Sequence, residues 1–242
     1  KSEFISVAAH QLRTPITAIN WALENLSDLL KDKSDLKDAL SVAREGHDVA
    51  QRSLKIINDL LDVSKIESGR FGFNFMETDL NIFLKRIVDG LKTVAEYYQI
   101  KIYFEPLPAS CQIFVDQQKL GMAISNLIDN AIRYNSKNGE VRIAVAKETK
   151  EPFAAISIKD TGVGIPPAEI NKLFTKFYRG SNVVQLEPNG SGLGLYITKN
   201  IIEQHGGQIE IESTIGRGTI FRIRLPLDKN LVPQKEFFIE NY

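Results

Sequence analysis

The sequence predicts an α + α/β chain: an antiparallel helical hairpin that forms a dimeric four-helix bundle, followed by an α/β sandwich. Two observations predict it. Through residue 66, apolar side chains recur at alternating intervals of four and three, the spacing of helices that pack along a seam. Beyond residue 70, helical spacing and two-residue alternation take turns, as they do where helices cover a sheet. On this reading residues 1–66 form the hairpin, 67–77 a linker and first strand, 78–227 the sandwich, and 228–242 a tail.

The first helix carries its seam at Ile5, Ala9, Leu12, Ile16, Ile19, Leu23, Leu26 and Leu30. The second repeats the pattern at Leu36, Leu40, Ala43, His47, Ala50, Leu54, Ile57 and Leu61, after a polar turn in which Ser34 or Asp35 would cap it. Ala8, Ala22, Leu29, Ile56, Leu60 and Val63 widen the apolar stripe beyond what two helices cover. A second copy of the hairpin would bury the surplus, hence the expected homodimer. His47, on the seam, is expected to be buried or half-buried. His10 falls one position past a seam residue and should face outward, with Thr14 and Thr17 on its face. Pro15 frees the carbonyl of Gln11 and bends the helix beside the imidazole.

"SKIESGRFGFNF" marks the boundary, and Phe71, Phe73 and Phe75 alternate as a strand does. Helices are expected within 79–99, 117–135, 167–178 and 193–205. "IKIYFEP", "CQIFVD", the hairpin "GEVRIAVAKE"/"FAAISIKD", and the closing "QIEIEST" and "GTIFRIRLP" read as strands. Phe174 and Phe177 read as core residues at helical spacing. His205 stands at a helix C-terminus, where a cationic or polar side chain suits the dipole.

Four stretches carry chemistry. "NLIDNAIRYN" sets Asn126, Asn130 and Arg133 on one helix face: neutral oxygens suited to magnesium, and a cation suited to phosphate. "SIKDTGVGIP" ends a strand at Asp160, whose carboxylate can accept from an amino group, and gives Gly162 and Gly164 freedom to turn. "NGSGLGLYITKN" puts Gly190, Gly192, Leu193 and Gly194 before a helix, where free amides receive phosphate. No Gly-Lys-Ser/Thr follows and no strand precedes, so neither a Walker loop nor a dinucleotide fingerprint fits. The stretch 180–189 between them has the length of a lid, with Arg179 at its hinge.

"FISVAAHQLRTPITAI" resembles the phosphoacceptor box of sensor histidine kinases, and the four stretches resemble, in order, the nucleotide boxes of their ATP-binding domain. The resemblance runs from about residue 4 to 227. It implies an ATP-binding sandwich of the histidine kinase/gyrase type, with ATP and Mg2+ as cofactors. His10 would take a phosphoryl group from ATP and pass it to an Asp of a response regulator receiver domain. Asn126 and Asn130 would hold phosphate and magnesium, Asp160 would bind adenine, Tyr134 would pack on the base, and Arg133 and Arg179 would contact phosphates. Gly162, Gly164, Gly190, Gly192, Leu193 and Gly194 would shape the nucleotide loops. Thr14 would orient water against the regulator's phospho-Asp, or else simply support the helix surface. Gln11 departs from the family, which has Glu or Asp there. The departure leaves a second reading: a kinase-impaired, nucleotide-responsive dimer acting mainly as a regulator phosphatase or binding module. A gyrase-type ATPase would share the nucleotide boxes but not the His box.

The composition fits a cytoplasmic enzyme. Thirty Lys+Arg balance thirty Asp+Glu, so no net field favours nucleic acid or an anionic membrane. The single cysteine, Cys111, excludes an internal disulfide and suits a reducing compartment. No apolar run approaches the ~20 residues of a membrane span. The chain opens inside a helical pattern without Met or cap, which reads as a piece of a longer protein. Any membrane anchor would lie in segments outside this chain.

Overall fold

The computed structural model describes residues 16–26, 36–184, 186 and 190–233. His10, Gln11, Thr14, Pro15, most of the expected lid tip and the aromatic tail lie outside the described residues. The chain divides into two compact units, Lys1–Ser68 and Gly69–Tyr242.

In the first unit, residues 16–26 form helix α1 and Leu36–Glu67 form α2. Two interleaved stripes run along α2. Ala39, Val42, Gly46, Val49, Ser53, Ile56, Leu60 and Val63, spaced three and four apart, are buried or half-buried. Gly46 meets α1 closely, since a Cβ there would stand 3.2 Å from Ala22 Cβ. The second stripe is the one read from the sequence as the seam, and most of it faces outward: Leu40, Leu54, Ile57 and Leu61 are exposed. Ile16 and Leu23 of α1 are exposed likewise. The roles of the two stripes are therefore exchanged. The residues expected only to widen the stripe close the hairpin, and the expected seam is left over. His47 follows its stripe and is exposed, not buried.

The second unit holds a five-stranded sheet in the order β2-β4-β5-β7-β6. Its strands are β2 (Lys101–Glu105), β4 (Glu140–Lys147), β5 (Phe153–Asp160), β6 (Gln208–Thr214) and β7 (Gly218–Pro226). β2 pairs parallel to β4; the other pairs are antiparallel. A separate antiparallel pair joins β1 (Met76–Asp79) to β3 (Gln112–Val115). Alternate residues of the central strands point to one side, where Ile143 faces Ile158 and Ile156 faces Ile223 across the ladders. They pack under α3 (Leu80–Tyr97), α4 (Gln117–Arg133) and α5 (Gly194–Gln204). Leu120, Ile124, Leu127 and Ile128 of α4 are fully buried. Each such side chain contributes ~1.5–3 kcal/mol by leaving water. Asp79 caps α3 by accepting from Ile82 N–H, and Asp116 caps α4 by accepting from Lys119 N–H; each cap contributes about 1 kcal/mol.

Three local expectations need correction. Phe71, Phe73 and Phe75 are not in a strand; they precede β1, with Phe71 edge-on to Phe73 at 5.4 Å and Phe73 stacked on Phe75 at 5.7 Å between centroids. The expected helix over 167–178 is a short 3-10 helix, Pro167–Lys172, followed by turns. Phe177 has left-handed backbone (φ 63), so it and half-buried Phe174 are not at helical spacing. Packing overrides local preference there: the Phe177 carbonyl carbon lies 2.6 Å from where a Cβ on Gly192 would stand. His205 does cap the C-terminus of α5, where its Nδ1 meets Ile201 carbonyl O at 2.7 Å; it is fully buried, which disfavours the cation, so it serves the helix end as a polar donor.

Candidate functional site

Four elements meet at the C-terminal end of α4. The helix sets Asn126 and Asn130 half-buried on one face, with Arg133 exposed in its last turn. Asn126 Nδ2 donates to Thr198 Oγ1 of α5 at 3.0 Å. That bond turns Asn126 Oδ1 toward the start of α5, where a Cβ on Gly194 would lie 2.6 Å from it. A methyl at Gly194 would therefore push on the Asn126 amide, which Thr198 holds. Arg133 is engaged by Asp129 (Nε to Oδ2, 2.8 Å) and by Tyr98 Oη (2.8 Å).

Asp160 ends β5 and is buried. Gly162 N–H and Thr219 N–H both donate to its Oδ1, at 2.8 and 3.1 Å. Both amides favour the charged form, but burial disfavours it more, and the carboxyl is pushed up to about 6. Neither amide takes Oδ2, the oxygen left for an incoming donor. The turn that follows is packed against the end of α4. Val163 N–H donates to Tyr134 carbonyl O at 3.1 Å, and a Cβ on Gly162 would collide with that same oxygen.

The glycines before α5 approach the other loops. Arg179 lies with its guanidinium carbon 3.2 Å from where a Cβ on Gly190 would stand. Gly192 has φ 68, and Leu193 is fully buried at the N-cap of α5. The segment after Arg179 is tied down: Glu169 accepts from Ser181 N–H at 3.0 Å, and Asn182 Nδ2 donates to Gly164 carbonyl O at 2.8 Å. Asn182 Oδ1 is buried without a hydrogen-bond partner.

All twelve nucleotide residues expected from the sequence thus lie on this one group of adjoining loops and helix ends. His10, Gln11 and Thr14 are outside the described residues. Three contributors went unread: Thr198, Thr219 and Tyr98. Thr198 sits one helical turn beyond Gly194, a spacing that links it to the glycine stretch; Thr219 and Tyr98 come from distant strands and helices and leave no local signal. The donor set fits a nucleotide with magnesium. It offers a buried carboxylate, two amide side chains, free amides at a helix start and two guanidinium groups. Among the described residues no three His, Cys, Asp or Glu side chains gather to hold a metal. A magnesium ion at the Asn face would therefore be held largely by phosphate and water oxygens, as its preference for hydration allows.

The family model for histidine kinase-, DNA gyrase B- and HSP90-like ATPases matches residues 115–229, and that of the His Kinase A (phospho-acceptor) domain matches residues 1–69. Sensor histidine kinase WalK of Bacillus subtilis is 31% identical over 227 residues, covering 93% of this chain and 36% of WalK. The chain spans little over a third of that relative. The structure of Acinetobacter baumannii histidine kinase AdeS superposes with a TM-score of 0.70 at 22% identity, covering 90% of this chain and 98% of AdeS, a likeness of fold. Histidine kinase ThkA, in complex with response regulator protein TrrA, gives 0.70 at 22% identity over 94% of this chain and 62% of ThkA. The chain belongs to the sensor histidine kinases, whose phosphoacceptor and ATPase domains it carries in that order.

Proposed function

We propose that the chain is an ATP-dependent protein histidine kinase that phosphorylates His10 and passes the phosphoryl group to an Asp of a response regulator receiver domain. The observation that carries the reading is that Gly194 meets Asn126 while the turn after Asp160 packs on Tyr134 at the end of the same helix, behind a phosphoacceptor domain matched over residues 1–69. Asp160 Oδ2 accepts from the adenine amino group, and Tyr134 packs on the base. Amides at the start of α5 and the guanidinium groups of Arg133 and Arg179 hold phosphate. Arg133 must exchange its present partners, Asp129 and Tyr98, for that contact. Neutral His10 Nε2 attacks the γ-phosphorus in line; the N–P bond forms as the bond to the ADP oxygen breaks. Magnesium, when bound at Asn126 and Asn130, neutralises charge on the phosphates.

The exposed stripe Leu40, Leu54, Ile57 and Leu61, with Ile16 and Leu23, supports a homodimer closing into a four-helix bundle. The hairpin would be residues 1–66 and the ATP-binding domain 78–227, in a cytoplasmic setting. No helix among the described residues is long and apolar enough to cross a membrane. The alternative, a kinase-impaired dimer, rests on Gln11 alone; the complete nucleotide site weighs against it.

Incubation with γ-labelled ATP and magnesium tests the reading. Acid-labile, base-stable label is expected on the wild type and none on His10→Gln. Equal labelling of both would overturn the assignment of His10. A second variant tests the site: Gly194→Ala is expected to weaken magnesium–nucleotide binding about tenfold, because the new methyl must displace Asn126, which Thr198 holds. Unchanged affinity by calorimetric titration would remove Asn126 from the site.

A further inference from the structure

The end of α4 and α5 opposite the nucleotide residues is as carefully built as the site itself, and no nucleotide box reaches it. The helices run antiparallel: Asn126 meets Thr198 near the site, and the first residue before α4, Asp116, meets the cap of α5, His205. His205 is fully buried. Its Nδ1 stands 2.7 Å from Ile201 carbonyl O, which can only accept, so Nδ1 carries the proton. Its Nε2, 3.0 Å away, accepts from Asp116 N–H. The Asp116 carboxylate in turn accepts from Lys119 N–H and, at 2.7 Å, from Asn74 N–H. The rings of Phe73 and Phe75 meet the imidazole edge-on at 5.5 and 5.0 Å. Segment 71–75, the first stretch of chain after the helical unit, is thereby seated on the pair α4/α5.

We propose that His205, as the Nδ1–H tautomer, is a positioning residue for the nucleotide site: it bolts the distal ends of α4 and α5 beneath the Phe73–Phe75 segment and so fixes the distance between Asn126 and Gly194 at the other ends. The inference rests on the nucleotide-binding reading above. Both helices are stiff over this length, and at the site end they come close enough that a Cβ on Gly194 would stand 2.6 Å from Asn126 Oδ1. Burial keeps the imidazole below its ordinary value, so the neutral form that can accept from Asp116 persists. A cation at this position would leave two donors facing each other.

His205→Phe keeps a ring against Phe73 and Phe75 and removes the acceptor, whereas His205→Gln offers an amide oxygen in its place. In the full chain, the Phe variant is expected to bind an ATP analogue about tenfold more weakly and to raise the KM for ATP in proportion, with the Gln variant recovering most of the loss. Transfer from pre-labelled His10 to a receiver domain, a step that needs no nucleotide, is expected to be unchanged. Wild-type nitrogen NMR should show Nε2 unprotonated at neutral pH. A Phe variant that melts lower yet binds nucleotide with wild-type affinity would reduce His205 to a core residue and overturn the proposal, as would a protonated Nε2. Slowing of the transfer step to the same degree would also overturn it. If the wild type itself binds no nucleotide, the functional reading fails first and takes this inference with it; if only the variants match the wild type, the inference fails alone.

Discussion

Asp160→Asn is expected to lose nucleotide binding by a hundredfold or more and to make the ATP-binding unit more stable at pH 7. The two effects have one cause. Asn keeps an oxygen for Gly162 N–H and Thr219 N–H, so the turn survives. Its other atom is an NH2 group, which points a donor at the adenine amino donor. Sites built to hydrogen-bond a ligand reject a mismatched partner by about 10⁴–10⁵ at best, and a hundredfold is the cautious end. Stability moves the other way. The folded carboxyl titrates at about 6 against 3.8 when free, because burial opposes its charge. A group raised in this way supports the fold fully below its unfolded value and loses that support as pH rises through the folded one. Ionised Asp160 therefore costs on the order of 3 kcal/mol at pH 7, a cost the amide avoids. Denaturant titrations should show wild-type stability falling between about pH 4 and 7 relative to the variant. Wild-type nucleotide affinity should weaken below about pH 6 as the acceptor is protonated. A variant that binds within threefold of wild type would exclude Asp160 from base recognition.

Gln11→Glu is expected to speed phosphorylation of His10 about a hundredfold, the low end of what a positioned acid–base group contributes. An amide oxygen can hold the tautomer of the neighbouring imidazole by accepting its proton-bearing nitrogen. It has no charge with which to stabilise the imidazolium that develops as Nε2 bonds to phosphorus, and it takes no proton. A carboxylate does both. The initial labelling rate at saturating ATP, compared between the two chains at equal dimer concentration, decides the matter. An equal or slower rate in the Glu variant would show that charge at this position does not limit the chemistry.

Most of the strand and helix order was legible because burial on one face writes a period into the sequence. Ile143, Val145, Ile156, Ile158 and Ile223 alternate, and Leu120, Ile124, Leu127 and Ile128 recur at helical spacing; all are buried. The residues proposed for the nucleotide could be picked out because Asp160 adjoins a turn and glycines such as Gly164 and Gly192 take left-handed backbone that few other residues allow. What escaped reading depended on partners far along the chain. Thr219 donates to Asp160 across 59 positions, and His205 accepts from Asp116 across 89. On α2 the period was plain but its direction was not, since two stripes of equal period adjoin and only the partner helix decides which faces in. The helix that starts at Pro167 ends after Lys172, and Phe177 adopts left-handed backbone where it meets Gly192, a contact 15 positions along the chain that leaves no local signal.

Among the described residues, β2 and β6 have no strand paired on their outer sides. An unpaired edge invites the edge of another molecule. Here both edges are studded with outward charge: Lys101 and Glu105 on β2, and Glu210 and Glu212 on β6, are exposed. Arg142 beside β2 pairs with Glu105 and Glu140, and Arg222 beside β6 pairs with Glu212. Stacking two β6 edges antiparallel would bring the Glu210 and Glu212 carboxylates of the two copies together, and stacking at either edge would strip these ion pairs of water. Neutralising the acidic rim of β6 should lower the concentration at which the protein precipitates, without any loss of folding.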